Sequence, residues 1–115
     1  MSAVTTIGEV IAEREVTLSM PDGNSDVVIV RIGKPVSALS DNEWVCPYEI
    51  RAFGESRMFS FRGVDSAQAL LLTMQAILPE LNALAKRVGG SCSWLEDDNA
   101  GFPDYRAAPK HGGKK

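Results

Sequence analysis

The chain has 115 residues, 44% hydrophobic and 23% charged, with a formal net charge of −3, which is typical of one soluble domain with its own core. The weak negative charge disfavours nucleic acid as a partner, and two cysteines are too few for a disulfide framework. Because the N-terminus lacks a secretory signal pattern and no segment approaches the roughly 20 apolar residues that span a bilayer, we expect a cytoplasmic protein with no membrane partner.

Two strands joined by a turn are predicted near the N-terminus. From Val10 to Met20 apolar and polar residues alternate, as in a strand with one buried face. Arg14 interrupts the apolar face, and we expect it to lie near a sheet end with its guanidinium in water. Residues 21–24, Pro-Asp-Gly-Asn, favour a reversing turn. The next strand, Val27 to Ile32, is apolar on both faces, so either the C-terminal segment or a second copy of the protein should cover its second face.

A hairpin is predicted from Trp44 to Arg62, after a surface loop at residues 33–42. A two-residue type II′ turn at Gly54-Glu55 would pair Tyr48 with Phe61, and a four-residue loop would keep the same parity. Pro47 cannot donate to a strand ladder, so it indicates either an edge or a bulge. The face of the hairpin away from the aromatic side chains is expected to be solvated; it carries Pro47, Glu49, Arg51, Met58, Ser60 and Arg62.

One long amphipathic helix is predicted from Ser66 through Val88, because apolar residues recur there at spacings of three and four. Asp65 is the expected N-cap, with Gln68 reaching back to the Asp65 amide as in a capping box. The two glycines that follow Val88 are expected to end the helix. Pro79 lies inside the pattern, so either a bend or a second helix that restarts at Pro79 is expected.

These elements predict an α+β fold, a four-stranded antiparallel meander sheet with the long C-terminal helix packed on one face. Ser91 to Leu95 is a candidate for a short fifth strand, and Gly101-Phe102-Pro103 for an anchored corner that closes an edge or the second face of the sheet. We expect residues 1–105 to form a single domain and residues 106–115, which are nearly free of apolar side chains, to form a disordered tail.

No set of residues in the chain predicts catalysis, a metal site or a cofactor site. Nucleophilic catalysis requires a serine or cysteine beside a base, and the single histidine, His111, lies in the predicted tail. The acidic residues at 96–98 and Asp104 lack the spaced ligands and the turn glycine of a calcium loop. We therefore predict that the protein is not an enzyme and holds no cofactor.

Three groups of residues together resemble a known family. They are Trp44-x-Cys46-Pro47-Tyr48-x-Ile50, Gly63-x-Asp65-Ser66-x-Gln68-Ala69-Leu70, and Trp94-Leu95 with Gly101-Phe102-Pro103. The set resembles small uncharacterised bacterial proteins that are grouped as a domain of unknown function, over roughly residues 8 to 105. The resemblance implies a bacterial, single-domain, mostly cytoplasmic protein, and it brings no known activity.

The leading functional hypothesis is a protein-interaction module of adaptor or toxin-neutralising type. Self-association through an edge of the strand Val27–Ile32 or of Trp44–Phe53 would fit it. The alternative is a small-ligand-binding domain, with a pocket of a few hundred Å³ between helix and sheet. Its predicted lining is Trp44, Tyr48, Phe59 and Met74. The residues that we predict to contact a partner or ligand are Trp44, Arg51, Arg57, Arg62, Phe102 and Tyr105.

Overall fold

A computed structural model describes residues 6–38, 43–95 and 100–104. Within them the elements are β1 (Val10–Ser19), β2 (Ser25–Gly33), β3 (Val36–Ser37), β4 (Trp44–Ala52), β5 (Glu55–Gly63), α1 (Ser66–Arg87) and β6 (Ser91–Ser93). All strand pairs are antiparallel. The predicted α+β class, with one helix packed against an antiparallel sheet, is confirmed. The sheet has six strands rather than four, and a strand follows the helix.

The strands lie side by side in the order β6, β1, β2, β4, β5. Because β5 pairs with β4 along its whole length, β2 and β3 share the other edge of β4, with β3 continuing the line of β2. The fifth strand, β6, is present and pairs with β1. Both β2 and β4 are therefore internal strands. Neighbouring strands pair with both edges of β2 at Ile29–Ile32 and with both edges of most of β4. Little free edge is left on either strand, and self-association through them stays a prediction.

The junction between β2 and β3 explains Pro47. Ile32 pairs with Tyr48 and Val36 with Val45, so the β2–β3 side carries one residue more than β4. Pro47, which has no N–H, lies opposite this interruption. A Cβ at Gly33 would collide with the Ile7 carbonyl and the Pro47 ring, so only glycine fits there. Of the two alternatives for Pro47, the edge is wrong, and the interruption lies in the facing β2–β3 side rather than as a bulge of β4 itself.

The β4–β5 hairpin turns at Phe53-Gly54, not at Gly54-Glu55. Tyr48 pairs with Phe59, which is two residues away from the predicted pairing with Phe61. Both turn residues have positive φ, +57° and +77°, as in a type I′ turn. The rings of Tyr48 and Phe59 stack with their centroids 4.9 Å apart, which favours this register. The parity is unchanged, so the aromatic face still points toward α1.

The helix α1 runs without interruption through Pro79, so a second helix restarting there is wrong. Its N-cap is Asp65, whose Oδ1 accepts the N–H of Gln68 at 2.8 Å. The Gln68 side chain accepts from the Val64 amide at 2.8 Å rather than from the expected Asp65 amide. At the other end Gly89 has φ +70°, and the amides of the two terminal glycines donate to carbonyls of the last turn. This is a Schellman ending, as the glycine pair indicates.

The core lies between α1 and the face of the sheet that carries Tyr48. Its largest fully buried side chains include Tyr48, Leu18, Ile77, Leu78, Leu81, Val16, Val28 and Val30. The two ends of α1 are tied to the sheet. The helix start follows directly on β5, and the Cys92 thiol of β6 lies 3.8 Å from the Leu81 carbonyl oxygen. The long helix and the sheet thus form one body.

The C-terminal segment closes the core beside α1 through Arg14. The Arg14 guanidinium lies 3.7 Å from the ring centroid of Trp94 and 4.9 Å from that of Phe102. It also donates to the carbonyl of Gly101 at 2.8 Å and to that of Ala100 at 3.3 Å. The expectation that Arg14 extends into water is therefore wrong, because its charge satisfies two backbone carbonyls and stacks on aromatic rings.

Several expectations fall on residues that are not described. The predicted tail, 106–115, lies outside the described residues, as do part of the predicted 33–42 loop and the acidic residues at 96–98. The predicted corner at 101–103 is present, with Phe102 buried. No helix in the described part of the chain is long and apolar enough to cross a membrane.

We predict that Asp65→Ala lowers the free energy of unfolding by about 1 kcal/mol, because the N–H of Gln68 loses its acceptor at the start of the helix. Asp65→Ser keeps an acceptor at the same position and should stay within a few tenths of a kcal/mol of the native chain. Urea unfolding followed by circular dichroism measures both. Equal stabilities for Asp65→Ala and Asp65→Ser would contradict the capping role.

Candidate interaction surface

The face of the sheet turned away from α1 carries the second apolar side of β2. Val28 and Val30 are buried in the core, whereas Val27 and Ile29 point the other way. Val27 is 52% exposed and Ile29 is half-buried. Trp94 and Phe102, which were expected to offer one possible cover, pack with Arg14 on the helix side instead. Within the described ranges, the second face of β2 is therefore open; cover by a second copy stays a prediction.

Phe53 extends this apolar surface at the hairpin tip. It is 46% exposed, and it holds φ +57° at the first central position of the turn. We call Val27, Ile29 and Phe53 the tip patch. These three residues line an open depression of about 450 Å³. The polar residues around the same depression are Asp26, Arg51, Glu55 and Ser56.

A smaller cleft of about 100 Å³ lies on the other side of Phe53, between the hairpin and the C-terminal half of α1. Phe59 and Leu84 line it, and its charged lining residues are Glu55, Arg57, Glu80 and Arg87. Of the four residues predicted to line a ligand pocket, Phe59 borders this cleft, whereas Tyr48 is fully buried in the core. A small-ligand site stays a prediction. Small-molecule sites usually measure roughly 300–1,000 Å³, so this cleft has room for one side chain of a partner.

A buried carboxylate next to the tip patch joins three strands. Glu49 is 5% exposed, so its expected place on a solvated face is wrong. Arg31 donates to Glu49 Oε1 at 3.0 Å, Arg51 donates to Oε2 at 2.8 Å, and the Ser56 hydroxyl also donates to Oε2. Burial raises the pKa of Glu49, but the three hydrogen bonds and the charge of Arg51 together lower it below its ordinary value. The hairpin under the tip patch is thus held by a charged network.

The three arginines of the predicted contact set do not form one patch. Arg51 lies beside the tip patch and is held by Glu49. Arg62 pairs with Glu43 at 2.8 Å. Arg57 faces the other side of the hairpin, where it lines the cleft with its guanidinium 5.9 Å from the Phe59 centroid. Only Arg51 and Arg57 therefore lie near the hairpin tip, and they lie on opposite faces.

The aromatic members of the predicted contact set are placed away from the tip patch. Trp44 is half-buried against the core and Phe102 is buried, while Tyr105 lies outside the described residues. Phe53 is missing from the set, because the turn predicted at Gly54-Glu55 makes it a strand residue. Pairing the aromatic residues Tyr48 and Phe59 across the hairpin would have identified Phe53, because that register places the turn at Phe53-Gly54.

Both cysteines are poor nucleophiles in this fold. Cys46 and Cys92 are buried and unbridged, and burial raises the pKa of each thiol above its ordinary value. Residues 6–38, 43–95 and 100–104 contain no group of three or more His, Cys, Asp or Glu side chains that could hold a metal ion.

We predict that Glu49→Gln destabilises the protein by roughly 2 kcal/mol at pH 7, because charge-assisted hydrogen bonds are lost from a buried site. The folded pKa of Glu49 is depressed, so its stabilisation is full above the unfolded pKa and is lost as pH falls through the folded pKa. Urea unfolding at pH 7 and at lower pH should show the gap between native chain and variant narrowing with acidification. A gap that is independent of pH would contradict this role of the carboxylate.

The fold and its surfaces can be compared with known proteins. No curated protein and no solved structure matches the chain, so neither a relative's activity nor a bacterial origin is established. A family model described as a domain of unknown function does match, and the expected resemblance to such a family is confirmed. The match covers residues 12–104, and the chain therefore belongs to the family of domains of unknown function DUF6968.

Proposed function

We propose that this chain is a non-enzymatic protein-interaction domain that binds another protein through the tip patch. The observation that carries the proposal is the half-exposed ring of Phe53 at φ +57°. The first central position of a type I′ turn favours asparagine or glycine, so phenylalanine strains the turn. An aromatic ring that costs the fold stability and stays open to solvent suits recognition better than packing.

The surroundings of Phe53 support a protein rather than a small molecule as the ligand. Val27 and Ile29 provide an apolar centre, and Asp26, Arg51 and Glu55 provide a charged rim, as in protein interfaces. The depression of about 450 Å³ is spread over an open sheet face and does not enclose a ligand. The cleft of about 100 Å³ behind Phe53 has room for one anchoring side chain of a partner.

The charged network beside the patch supports the same proposal. Glu49 connects Arg31 of β2 with Arg51 of β4 and Ser56 of β5, so the strands that carry the tip patch are joined to one another. A surface held in place before binding loses little conformational entropy on binding, which raises affinity. Within this proposal, the adaptor or toxin-neutralising role rests on fold-level analogy. The bacterial, cytoplasmic setting is likewise a prediction.

We predict that Phe53→Asn raises the free energy of unfolding by about 1 kcal/mol, because asparagine tolerates positive φ better than phenylalanine. Phe53→Tyr keeps both the ring and the strain, so its stability should match that of the native chain. Urea unfolding measures both variants. If Phe53→Asn is less stable than the native chain, Phe53 serves the fold and the observation that carries the proposal fails.

Partner binding is tested by placing a photoreactive phenylalanine analogue at position 53 in the producing cells. The matched control carries it at position 82, where Asn82 is exposed on α1. We expect a defined protein adduct from position 53 that is absent from position 82. The purified partner should then bind the native chain and Phe53→Tyr, and bind Phe53→Asn at least tenfold more weakly. Identical adducts at both positions, or unchanged binding of Phe53→Asn, would overturn the proposed function.

A further inference from the structure

We propose that two copies of this chain pair through their β5 edges and form one continuous antiparallel sheet. The described residues of the chain place only β4 beside β5, which leaves the other edge of this nine-residue strand open. At the opposite end of the sheet, the three-residue strand β6 pairs only with Thr17–Ser19 of β1. The rest of the outer edge of β1 is shorter than β5 and contains a register irregularity between Val10 and Ala12. The β5 edge adjoins the tip patch but uses none of its three residues, so this inference stands without the proposed function.

The turn geometry determines which backbone groups of β5 point outward. A two-residue turn at Phe53-Gly54 makes Ala52 and Glu55 a hydrogen-bonded pair. Along the strand, odd-numbered residues then direct their N–H and C=O groups toward β4, and even-numbered residues direct theirs away from the sheet. The outward-facing set is Ser56, Met58, Ser60 and Arg62.

This outward-facing set is complementary to itself. With Phe59 on a two-fold axis, Met58 lies opposite Ser60 of the second copy and Ser56 lies opposite Arg62, so every member pairs. The ladder would contain about eight backbone hydrogen bonds. A shift by one residue would set outward groups against inward ones, and a shift by two would leave part of the set unpaired. The strand therefore specifies one register for a second copy.

The side chains beside this axis fit the same register. Arg57 lies opposite Phe61 of the second copy, on the face that carries α1. Phe61 is 36% exposed, and Arg57 makes no ion pair with any described residue, so each gains a cation–π contact. In this register even-numbered residues of one copy lie opposite even-numbered residues of the other. Because directly opposite residues share a face, both helices lie on the same face of the joined sheet.

The side of α1 nearest the axis is largely apolar. Glu80 and Ala83 line the cleft beside Arg57, so their side of the helix faces β5. Toward the helix start, the three-and-four spacing continues this side through Ala76 and Leu72, both half-buried. The second copy would cover these side chains as well as the strand edge, so apolar burial adds to the backbone ladder.

Apart from the charge of Arg57 on the α1 face, the β5 edge lacks the devices that keep monomers apart. Proteins protect long free edges with proline, bulges or inward-pointing charges. β5 contains no proline, and its register with β4 is continuous from end to end. Of its two arginines, Arg62 is held by Glu43 within the same chain. A second copy is the occupant that this unprotected edge fits.

Ser60→Pro tests the proposal on the full chain. The Ser60 N–H points outward, so proline removes a bond to the second copy and none to β4. We expect the native chain and Ser60→Ala to sediment as dimers, and Ser60→Pro to sediment as a monomer with an unchanged circular dichroism spectrum. A native chain that stays monomeric at all concentrations, or a folded Ser60→Pro that stays dimeric, would overturn the proposal.

Cysteine cross-linking tests the register and decides the matter if Ser60→Pro fails to fold. Met58 faces Ser60 of the second copy, so Met58→Cys mixed with Ser60→Cys should form a disulfide-linked dimer under mild oxidation. Each variant alone should not, and the native cysteines are buried. No cross-link in the mixture would overturn the proposal. Phe53→Asn should dimerise like the native chain. A loss of partner binding through the tip patch can therefore be distinguished from a loss of dimerisation through the β5 edge.

Discussion

The pairing of Tyr48 with Phe59 is the constraint on which the rest of the structure depends. It sets the register of β4 against β5 along the whole hairpin. A register moved by two residues would keep the same faces but would make Phe53 a strand residue and place Glu49 opposite Ser60. It would also take Ser56 away from Glu49. The tip patch and the buried network therefore both follow from this one pairing.

The charged network around Glu49 reinforces this register, but burying the carboxylate costs desolvation free energy. A buried carboxylate loses its hydration, and an apolar side chain in its place often gives equal or better stability. The partners of Glu49 come from β2, β4 and β5, and they meet only when each strand holds its observed register. What the network adds is a penalty on other registers, because Glu49 would then be buried without its partners. The open sheet face near Val27 gains a fixed alignment in this way.

The features that the sequence predicts well are local. The caps of α1, the alternation of the strands and the ending at Gly89 each depend on a few neighbouring residues. The features that it misses are long-range. Arg14 looks like a flaw in an apolar strand face until Trp94 and Gly101 are brought beside it from the far end of the chain.

The tip patch could not be predicted from the sequence, because it too depends on contacts between residues that are distant in the chain. A glycine at the first central position would suit a type II′ turn, so local turn rules assign Gly54 to it and leave Phe53 in the strand. The cross-strand stacking of Tyr48 on Phe59, together with the Glu49 network, overrides that preference. The contact residues chosen from the sequence were aromatic and basic residues of suitable type, but exposure depends on the fold. Phe102, for example, is buried by Arg14.

The two proposed surfaces have a geometric relation that neither shows alone. Pairing two β5 strands about Phe59 places Glu55 opposite Gly63 of the second copy, so the two Glu55 residues, at the base of the hairpin tips, lie about 27 Å apart along the strands. The same register brings Val64 of the second copy, which is 73% exposed, beside Gly54. The exposed side chain of this valine would then enlarge the apolar surface at each tip. A dimer of this form presents two binding surfaces, so it favours partners that are themselves multimeric, since linked sites gain avidity without new contacts.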